Sequence, residues 1–165
     1  MPDPLPSTGE LARMYGLRPL PLEGGLFHRT WAGPEQPDGH PAGSAILLLL
    51  SAEEGHFSAL HRLPRDEVWH FHLGDPVELL LLEPGGDSRV EVLGPDIRAG
   101  AHLQYVVPGG TWMGARVRPG GARTLLGCTM APGFSPVDYE GGDADELSAR
   151  YPLHGELIRT LSRTA

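Results

Sequence analysis

Short apolar runs, separated by clusters of glycine and proline, make up most of the chain between residues 26 and 131. Such runs predict β-strands bounded by tight turns. No segment has the strand–helix–strand order that a parallel sheet requires. The pattern therefore predicts an antiparallel all-β sandwich or barrel. The predicted strands are 26–31, 44–50, 56–61, 67–73, 77–83, 89–93, 103–107, 111–117 and 123–131.

Helical patterns occur at the two ends of the chain. Ser7 or Thr8 is placed to cap a helix that runs to Met14, with Glu10 at the capping-box position and Gly16 as a natural stop. We therefore predict an N-terminal arm and helix over 1–16, ahead of a barrel over 17–135.

The C-terminal segment, 136–165, is predicted to be helical and to pack on the barrel. Asp143 can cap a short helix that ends at Tyr151. A second short helix is predicted over 153–161, because four apolar residues recur there at helical spacing. These residues are Leu153, Leu157, Ile158 and Leu161.

The composition of the chain argues against several classes of function. The 165 residues carry 13 basic and 21 acidic side chains, for a net charge of −8, so nothing would neutralise the phosphates of a nucleic acid or an anionic membrane. The longest apolar run, 45–50, is far too short for a membrane span. A single cysteine, Cys128, excludes an intrachain disulfide and a multi-cysteine zinc site. With no signal peptide evident, we expect a cytoplasmic protein.

The densest polar and aromatic cluster covers 61–74. Alternate side chains of a strand point to opposite faces, so Glu67, Trp69 and Phe71 share one face. A carboxylate between two large aromatic residues is expected to face the interior, where it needs a partner, a metal or a raised pKa. His61 lies on the preceding predicted strand, and we expect it beside Glu67 in an antiparallel pair.

The spacing of His61, Glu67 and Gly74 resembles the first conserved motif of the cupins, which runs His-x-His, three or four residues, Glu, six residues and Gly. The segment 108–110 (PGG) resembles the core of the second cupin motif, which continues to a histidine. Several segments, spread over residues 17 to about 160, are similar to the cupin-5 family, whose members are often described as predicted sugar epimerases. They are LPLEGG (20–25), FHRT (27–30), FSALHR (57–62), DEVWHF (66–71), VPGGTW (107–112) and APGF (131–134).

This resemblance implies a small cupin jelly-roll barrel (a double-stranded β-helix) with short flanking helices. It implies a homodimer and a small-molecule pocket inside the barrel. It also implies similarity to deoxysugar epimerases of the RmlC-like type and to seed-storage cupins.

Two positions depart from the cupin metal-binding pattern. Leu63 stands where the second histidine of the first motif would fall, and Met113 stands at the histidine position of the second motif. A catalytic metal usually has three or more protein ligands, and His61 and Glu67 are two. We therefore expect no cofactor and no metal; if a metal is bound, His61 and Glu67 are its expected ligands.

His61 and Glu67 are the predicted catalytic residues. Leu60-His61 resembles an element of the deoxysugar epimerases in which the histidine is the proton-abstracting base, and Glu67 could orient the His61 ring. Tyr105 and Tyr139 are candidates for the acid that epimerisation also requires. The alternative is that His61 and Glu67 form a buried structural pair.

Further residues are predicted to bind the ligand. Two glycines follow Glu23 and allow a close backbone approach, and Arg29 can hold a phosphate or carboxylate. Aromatic side chains can stack on a flat ring, or simply form core. The full predicted set is Glu23, Arg29, Thr30, Phe57, Trp69, Phe71, Gln104 and Met113.

Other features concern assembly. His70 and His72 point away from Glu67 and are expected at a sheet-to-sheet or dimer surface. The runs 45–50 and 79–82 are apolar on both faces, which requires cover beyond one barrel interior. Terminal helices supply part of that cover, and a second subunit supplying the rest predicts a homodimer.

Three functions remain open at this point. The leading one is a small-molecule-binding cupin that acts as a metal-independent epimerase or isomerase on a sugar-type or nucleotide-sugar-like substrate. The second is a cupin that binds a metabolite without converting it. The third is a metal-dependent cupin enzyme such as an oxygenase.

Overall fold

The computed structural model describes residues 4–163, which form eleven β-strands and three α-helices, with three short 3-10 turns between them. The strands are β1 (Arg18–Pro19), β2 (Leu26–Ala32), β3 (Ser44–Ser51), β4 (Ser58–Arg62), β5 (Glu67–Gly74), β6 (Val77–Leu82), β7 (Ser88–Leu93), β8 (Gln104–Val107), β9 (Trp112–Val117), β10 (Arg123–Met130) and β11 (Glu140–Gly141). The helices are α1 (Thr8–Tyr15), α2 (Ala144–Arg150) and α3 (Gly155–Thr160).

The strands form two antiparallel sheets. One has six strands in the order β1-β2-β3-β10-β5-β8, and the other has five in the order β11-β4-β9-β6-β7. The inward side chains of both sheets meet in one core, to which Leu48, Trp69, Leu81 and Leu126 contribute. Strand alternation produces this core, because every second residue of each strand faces the opposite sheet.

Helices of the same chain cover parts of both outer sheet faces. Leu11 of α1 packs on Leu49 and Leu125 of the six-stranded sheet. On the five-stranded sheet, α2 and α3 bury a second apolar cluster that includes Leu80 and Leu161. The chain itself therefore covers the run 79–82 fully and the run 45–50 in part, since Ala45 and Leu47 remain half-buried, and the homodimer stays a prediction.

The N-terminal helix has the predicted boundaries. The Ser7 hydroxyl accepts a hydrogen bond from the Glu10 amide, and the Glu10 carboxylate accepts one from the Ser7 amide, which completes the capping box. Gly16 ends the helix in the left-handed conformation, with φ of 64°.

All nine predicted strands are present, each within two residues of its predicted ends, and the all-β prediction is confirmed. The short edge strands β1 and β11 were not predicted. Leu153 was wrongly placed on the buried face of the last helix: it lies in a 3-10 turn and is 81% exposed, because that turn ends before α3 begins. The boundaries at 16/17 and 135/136 stay a prediction.

Within residues 4–163, none of the helices has the length and apolar character needed to cross a membrane.

Candidate functional site

A cavity of about 60 Å³ lies between the two sheets. Its floor is buried and includes His61, Leu63 and Glu67, whereas Leu20, Phe27 and Phe134 are half-buried and form its outer part. A space of this size holds a few water molecules or one end of a small ligand. The full lining is Leu20, Glu23, Phe27, Ser44, Ile46, His61, Leu63, Glu67, Cys128, Met130 and Phe134.

His61 is 2% exposed and is held in one orientation. Its Nδ1 lies 2.7 Å from the backbone oxygen of Ala59, and because a carbonyl oxygen only accepts, Nδ1 carries the hydrogen. The ring of Tyr139 stacks on the imidazole, with 5.3 Å between ring centroids and 12° between planes. In the neutral ring, Nε2 is therefore the basic nitrogen.

Glu23 is the carboxylate nearest to the basic nitrogen of His61, at 3.8 Å from Oε1 to Nε2. The same oxygen accepts a 2.7 Å hydrogen bond from the hydroxyl of Ser58, on the same strand as His61. Glu23 lies in the turn between β1 and β2, where Leu22 has φ of 66° and Gly24 has φ of 101°. A non-glycine residue in this region is strained, so the turn is held by its surroundings.

Arg163 supplies part of that support. Its guanidinium donates to the backbone oxygens of Glu23, Gly55 and Phe57 and lies 4.6 Å from the centre of the Phe57 ring. A Cβ on Gly24 would collide with the Arg163 guanidinium and with the backbone oxygen of Phe57, and because that backbone cannot move aside as a flexible side chain can, glycine is required here. Arg163 thus stabilises the turn that carries Glu23.

Glu67 faces the cavity from the other sheet and is 8% exposed. Burial, and then the nearby charge of Glu23, raise the pKa of Glu67 from 4.5 to about 8. The Trp69 indole is the third and smallest influence, and it lowers the pKa of Glu67. Its buried N–H makes no hydrogen bond of sound geometry within the described residues. Glu67 is therefore a neutral acid over much of the range below pH 8.

The expected antiparallel pairing of His61 with Glu67 is wrong. His61 is on β4, which pairs with β9 and β11, whereas Glu67 is on β5, which pairs with β10 and β8. The chain crosses from one sheet to the other between the two residues. They meet only by lining the same cavity, and Glu23, not Glu67, is positioned to orient the imidazole.

The 108–110 segment packs against this crossing. The Gly109 amide donates to the Asp66 carboxylate at 2.8 Å, and the Gly110 amide donates to the Leu63 oxygen at 2.9 Å. A Cβ on Gly109 would lie 2.8 Å from the carbonyl carbon of Pro64, too close for any side chain. The second motif therefore holds in place the segment that joins His61 to Glu67.

Most of the other predicted ligand residues lie outside the cavity. Arg29 is exposed and donates to the backbone oxygen of Phe134, a wall residue, which places it near the outer part of the cavity. Gln104 is exposed and bonds His70 on the outer face of the sheet, since strand alternation turns it outward. Thr30 bonds the Ala45 oxygen. The aromatic and methionine side chains pack instead into core clusters, namely Phe57, Trp69, Phe71 and Met113.

The two tyrosines differ in position. Tyr139 stacks on His61 but does not line the cavity, and burial raises its pKa to about 12. The Tyr105 hydroxyl accepts from Arg89, away from the cavity. The outward placement of His70 and His72 is confirmed: His70 bonds Thr129, and the two rings stack at 6.4 Å.

Sequence reasoning missed several wall residues. Cys128, whose position in an apolar strand indicates a core thiol, packs in the core and also lines the cavity; burial together with the charges of Glu67 and Glu23 raises its pKa. Strand alternation was a usable signal, because Cys128 and Met130 fall on the same face of β10. Phe134 follows that strand in the loop, where alternation gives no guidance.

The chain's donor set does not fit a resident metal. Within residues 4–163, no three His, Cys, Asp or Glu side chains are arranged so that they could hold a metal ion. Leu63 presents an apolar side chain to the cavity, and Met113 is buried in the core. His61 and Glu67 remain two ligands, which is short of the usual number.

The arrangement of two antiparallel sheets around an internal cavity is that of a cupin jelly roll. The family described as Cupin superfamily (DUF985), Cupin_5, matches residues 9–141. The chain therefore belongs to the Cupin_5 family, which confirms the sequence resemblance.

Solved structures agree with this assignment. The crystal structure of protein SO0799 from Shewanella oneidensis is 30% identical, with a TM-score of 0.88 over 98% of this chain and 100% of that one. A hypothetical protein from Leishmania major is 28% identical, with a TM-score of 0.84 over 96% of this chain and 100% of that one. Comparison with curated proteins gives no match.

A more distant neighbour shows the fold alone. Bacillus subtilis oxalate decarboxylase, a protein with Mn(II) centres, is 14% identical, with a TM-score of 0.52 over 88% of this chain and 37% of that one. The predicted jelly-roll barrel with short flanking helices is thus confirmed, and some cupins of this fold are metal-dependent enzymes.

Proposed function

We propose that the cavity binds a small molecule and that His61 acts on it as a base, in a metal-independent isomerisation or epimerisation of a sugar-type substrate. One observation carries this proposal. The Nδ1 hydrogen of buried His61 is committed to the Ala59 oxygen, so the basic Nε2 belongs to a residue that lines the cavity. Histidine is suited to proton transfer near neutral pH.

The chemistry requires a proton to leave one face of a carbon and return to the other. The His61 Nε2 removes a proton from a carbon next to a carbonyl, and the C–H electron pair forms an enolate. Glu67 faces the cavity from the opposite sheet and donates its proton to the other face of that carbon. Solvent then returns the proton from His61 to Glu67, so the enzyme is unchanged after one turnover.

Glu23 has a positioning role in this proposal. When His61 accepts a proton, an imidazolium forms 3.8 Å from the Glu23 carboxylate. The opposite charges of the two groups attract each other at that distance. Ser58 fixes the carboxylate by donating to it.

The size of the cavity limits how much of a substrate is buried. A space of about 60 Å³ takes a small molecule or one end of a larger one. A nucleotide-sugar-like substrate would therefore keep its nucleotide outside. Arg29, exposed beside Phe134, is positioned for an anionic group there.

Hydrogen–deuterium exchange tests the proposed base. The protein is incubated in D₂O with small carbonyl compounds such as dihydroxyacetone and glyceraldehyde, and loss of the α-proton signal is followed by NMR. We expect exchange with at least one compound, abolished by His61→Asn, in which an amide can still donate to Ala59. His70→Asn, on the outer sheet face, is the matched control.

Equal exchange rates in the wild type and His61→Asn would remove His61 as the base. A bound compound that never exchanges its α-proton would favour the second function, binding without conversion.

A further inference from the structure

The cavity contains two carboxyl groups and, among the described residues that line it, no permanently charged cation. Glu23 and Glu67 both line it, and they are close enough for the charge of one to affect the other. Among the described residues no arginine side chain lines the cavity, and all 13 basic residues of the chain are arginines. Two ionised carboxylates in a low-dielectric site are unfavourable, so Glu67 holds its proton in the empty cavity; a bound cation would allow both groups to ionise.

The arginines nearest to this site are engaged elsewhere. Arg163 donates to the backbone oxygen of Glu23 and not to its carboxylate. Arg29 donates to the backbone oxygen of Phe134. Neither guanidinium is placed to neutralise the cavity.

A second observation, separate from the charges in the cavity, concerns the hydrogen bonding of Glu67. Glu67 is 8% exposed, and the Trp69 indole N–H beside its carboxyl makes no hydrogen bond of sound geometry within residues 4–163. Buried polar groups are normally hydrogen-bonded, so an unpartnered carboxyl that faces a cavity indicates a ligand that donates to it.

The rest of the wall indicates an organic ligand. Phe27, Ile46, Met130 and Phe134 present aromatic, aliphatic and thioether surface. A hydrated metal ion gains nothing from such a surface, and three suitable metal ligands do not converge within residues 4–163. An alkyl chain packs well there, and aromatic faces attract an organic cation.

We propose that this cavity is a site for a small molecule that bears a primary ammonium group, with its –NH₃⁺ held between the carboxyls of Glu23 and Glu67 and its carbon chain against Phe27 and Phe134. An ammonium has three donors and no acceptor, which suits a Glu67 carboxyl without a sound hydrogen bond and a Glu23 carboxylate that receives one, from Ser58. The inference rests on the proposed function in that it concerns the same cavity, and it restricts the substrate to amino-bearing compounds. With an ammonium bound, Glu67 is an ionised ligand, and water in place of Glu67 returns a proton to the substrate carbon.

Three probes of equal length test the charge preference: n-propylammonium, propionate and 1-propanol. Binding to the wild-type protein is measured by NMR titration, with shifts mapped onto the cavity residues. We expect n-propylammonium to bind roughly tenfold or more tightly than the other two. The inference would be overturned if propionate or 1-propanol bound equally well. It would also be overturned if n-propylammonium did not bind at concentrations on the order of 100 mM.

Variants of the two cavity carboxyls test whether they are the groups that bind n-propylammonium. Glu67→Gln and Glu23→Gln each retain the side-chain length and are expected to weaken n-propylammonium binding roughly tenfold. Glu54→Gln removes one exposed carboxylate and is the matched control, with unchanged binding expected. Unchanged affinity in both cavity variants would refute the proposal, and the wild-type probe series decides the question if either variant fails to fold.

The experiments distinguish failure of the amine inference from failure of the proposed function. If n-propylammonium does not bind but His61-dependent exchange of a neutral carbonyl compound is observed, the amine inference is wrong and the proposed function stands. If the amine binds through both carboxyls and no carbonyl compound exchanges, the binding site stands and base catalysis does not.

Discussion

Replacing Glu67 with glutamine should abolish most of an unusual pH dependence of stability. The native carboxyl has its pKa raised to about 8, from 4.5. Between these values the folded protein holds a proton that the unfolded chain releases. Stability from this group is therefore complete below about pH 4.5 and is lost as pH rises towards 8.

The size of the effect follows from that difference. The gap between 4.5 and about 8 corresponds to roughly 5 kcal/mol in total, of which about 3–4 kcal/mol is lost between pH 5 and pH 8. His61, Glu23 and Cys128 line the same cavity and remain in the variant, so the two proteins differ in this cavity only at position 67. The difference between wild type and variant thus isolates Glu67.

Urea denaturation followed by tryptophan fluorescence measures this difference, because Trp69 and Trp112 are both buried. We expect the free energy of unfolding of the wild type to fall by a few kcal/mol, relative to Glu67→Gln, as pH rises from 5 to 8. The exposed Glu54→Gln is the control and should follow the wild type. Identical pH profiles for the wild type and Glu67→Gln would show that Glu67 is ionised in the native protein and refute the reasoning.

Three further predictions concern packing and assembly. Gly109→Ala should lower the free energy of unfolding by about 1–3 kcal/mol, because its Cβ would collide with Pro64, whereas Gly85→Ala meets open space and should be near neutral by the same urea assay. Leu161→Ala should cost about 2–5 kcal/mol in thermal or urea unfolding, whereas the exposed Leu153→Ala should cost less than about 0.5 kcal/mol. The family resemblance predicts a homodimer, and light scattering at micromolar concentration that gives the mass of a single chain would contradict it.

Local patterns were sufficient for most of the fold. Alternation along β5 correctly placed Glu67 and Trp69 towards the interior, because a strand has a strict period of two. The Ser7–Glu10 capping box is likewise encoded within four residues. Such features depend on neighbours in sequence, which a single chain displays directly.

Features that depend on pairing between strands far apart in the sequence could not be predicted in the same way. A short turn joins the strands of His61 and Glu67, which favours a hairpin, yet the chain passes from one sheet to the other there. Which strands pair depends on how all of them pack together, and no local signal records it. Glu23 was expected to bind ligand, but its position beside the His61 imidazole depends on a distant turn supported by Arg163.

The carboxyl of Glu67 is difficult to explain by stability alone. Most residues of the surrounding core are apolar, and a hydrophobic side chain of similar volume at this position would avoid the cost of a buried carboxyl without a sound hydrogen bond. The same holds for the Glu23 turn, where a strained residue and two glycines hold a second carboxylate against His61. Strained backbone and unpartnered polar groups commonly mark sites where a ligand supplies the missing interactions. Both carboxyls line one cavity with His61, so the cost that each imposes on the fold is most simply offset by what binds there.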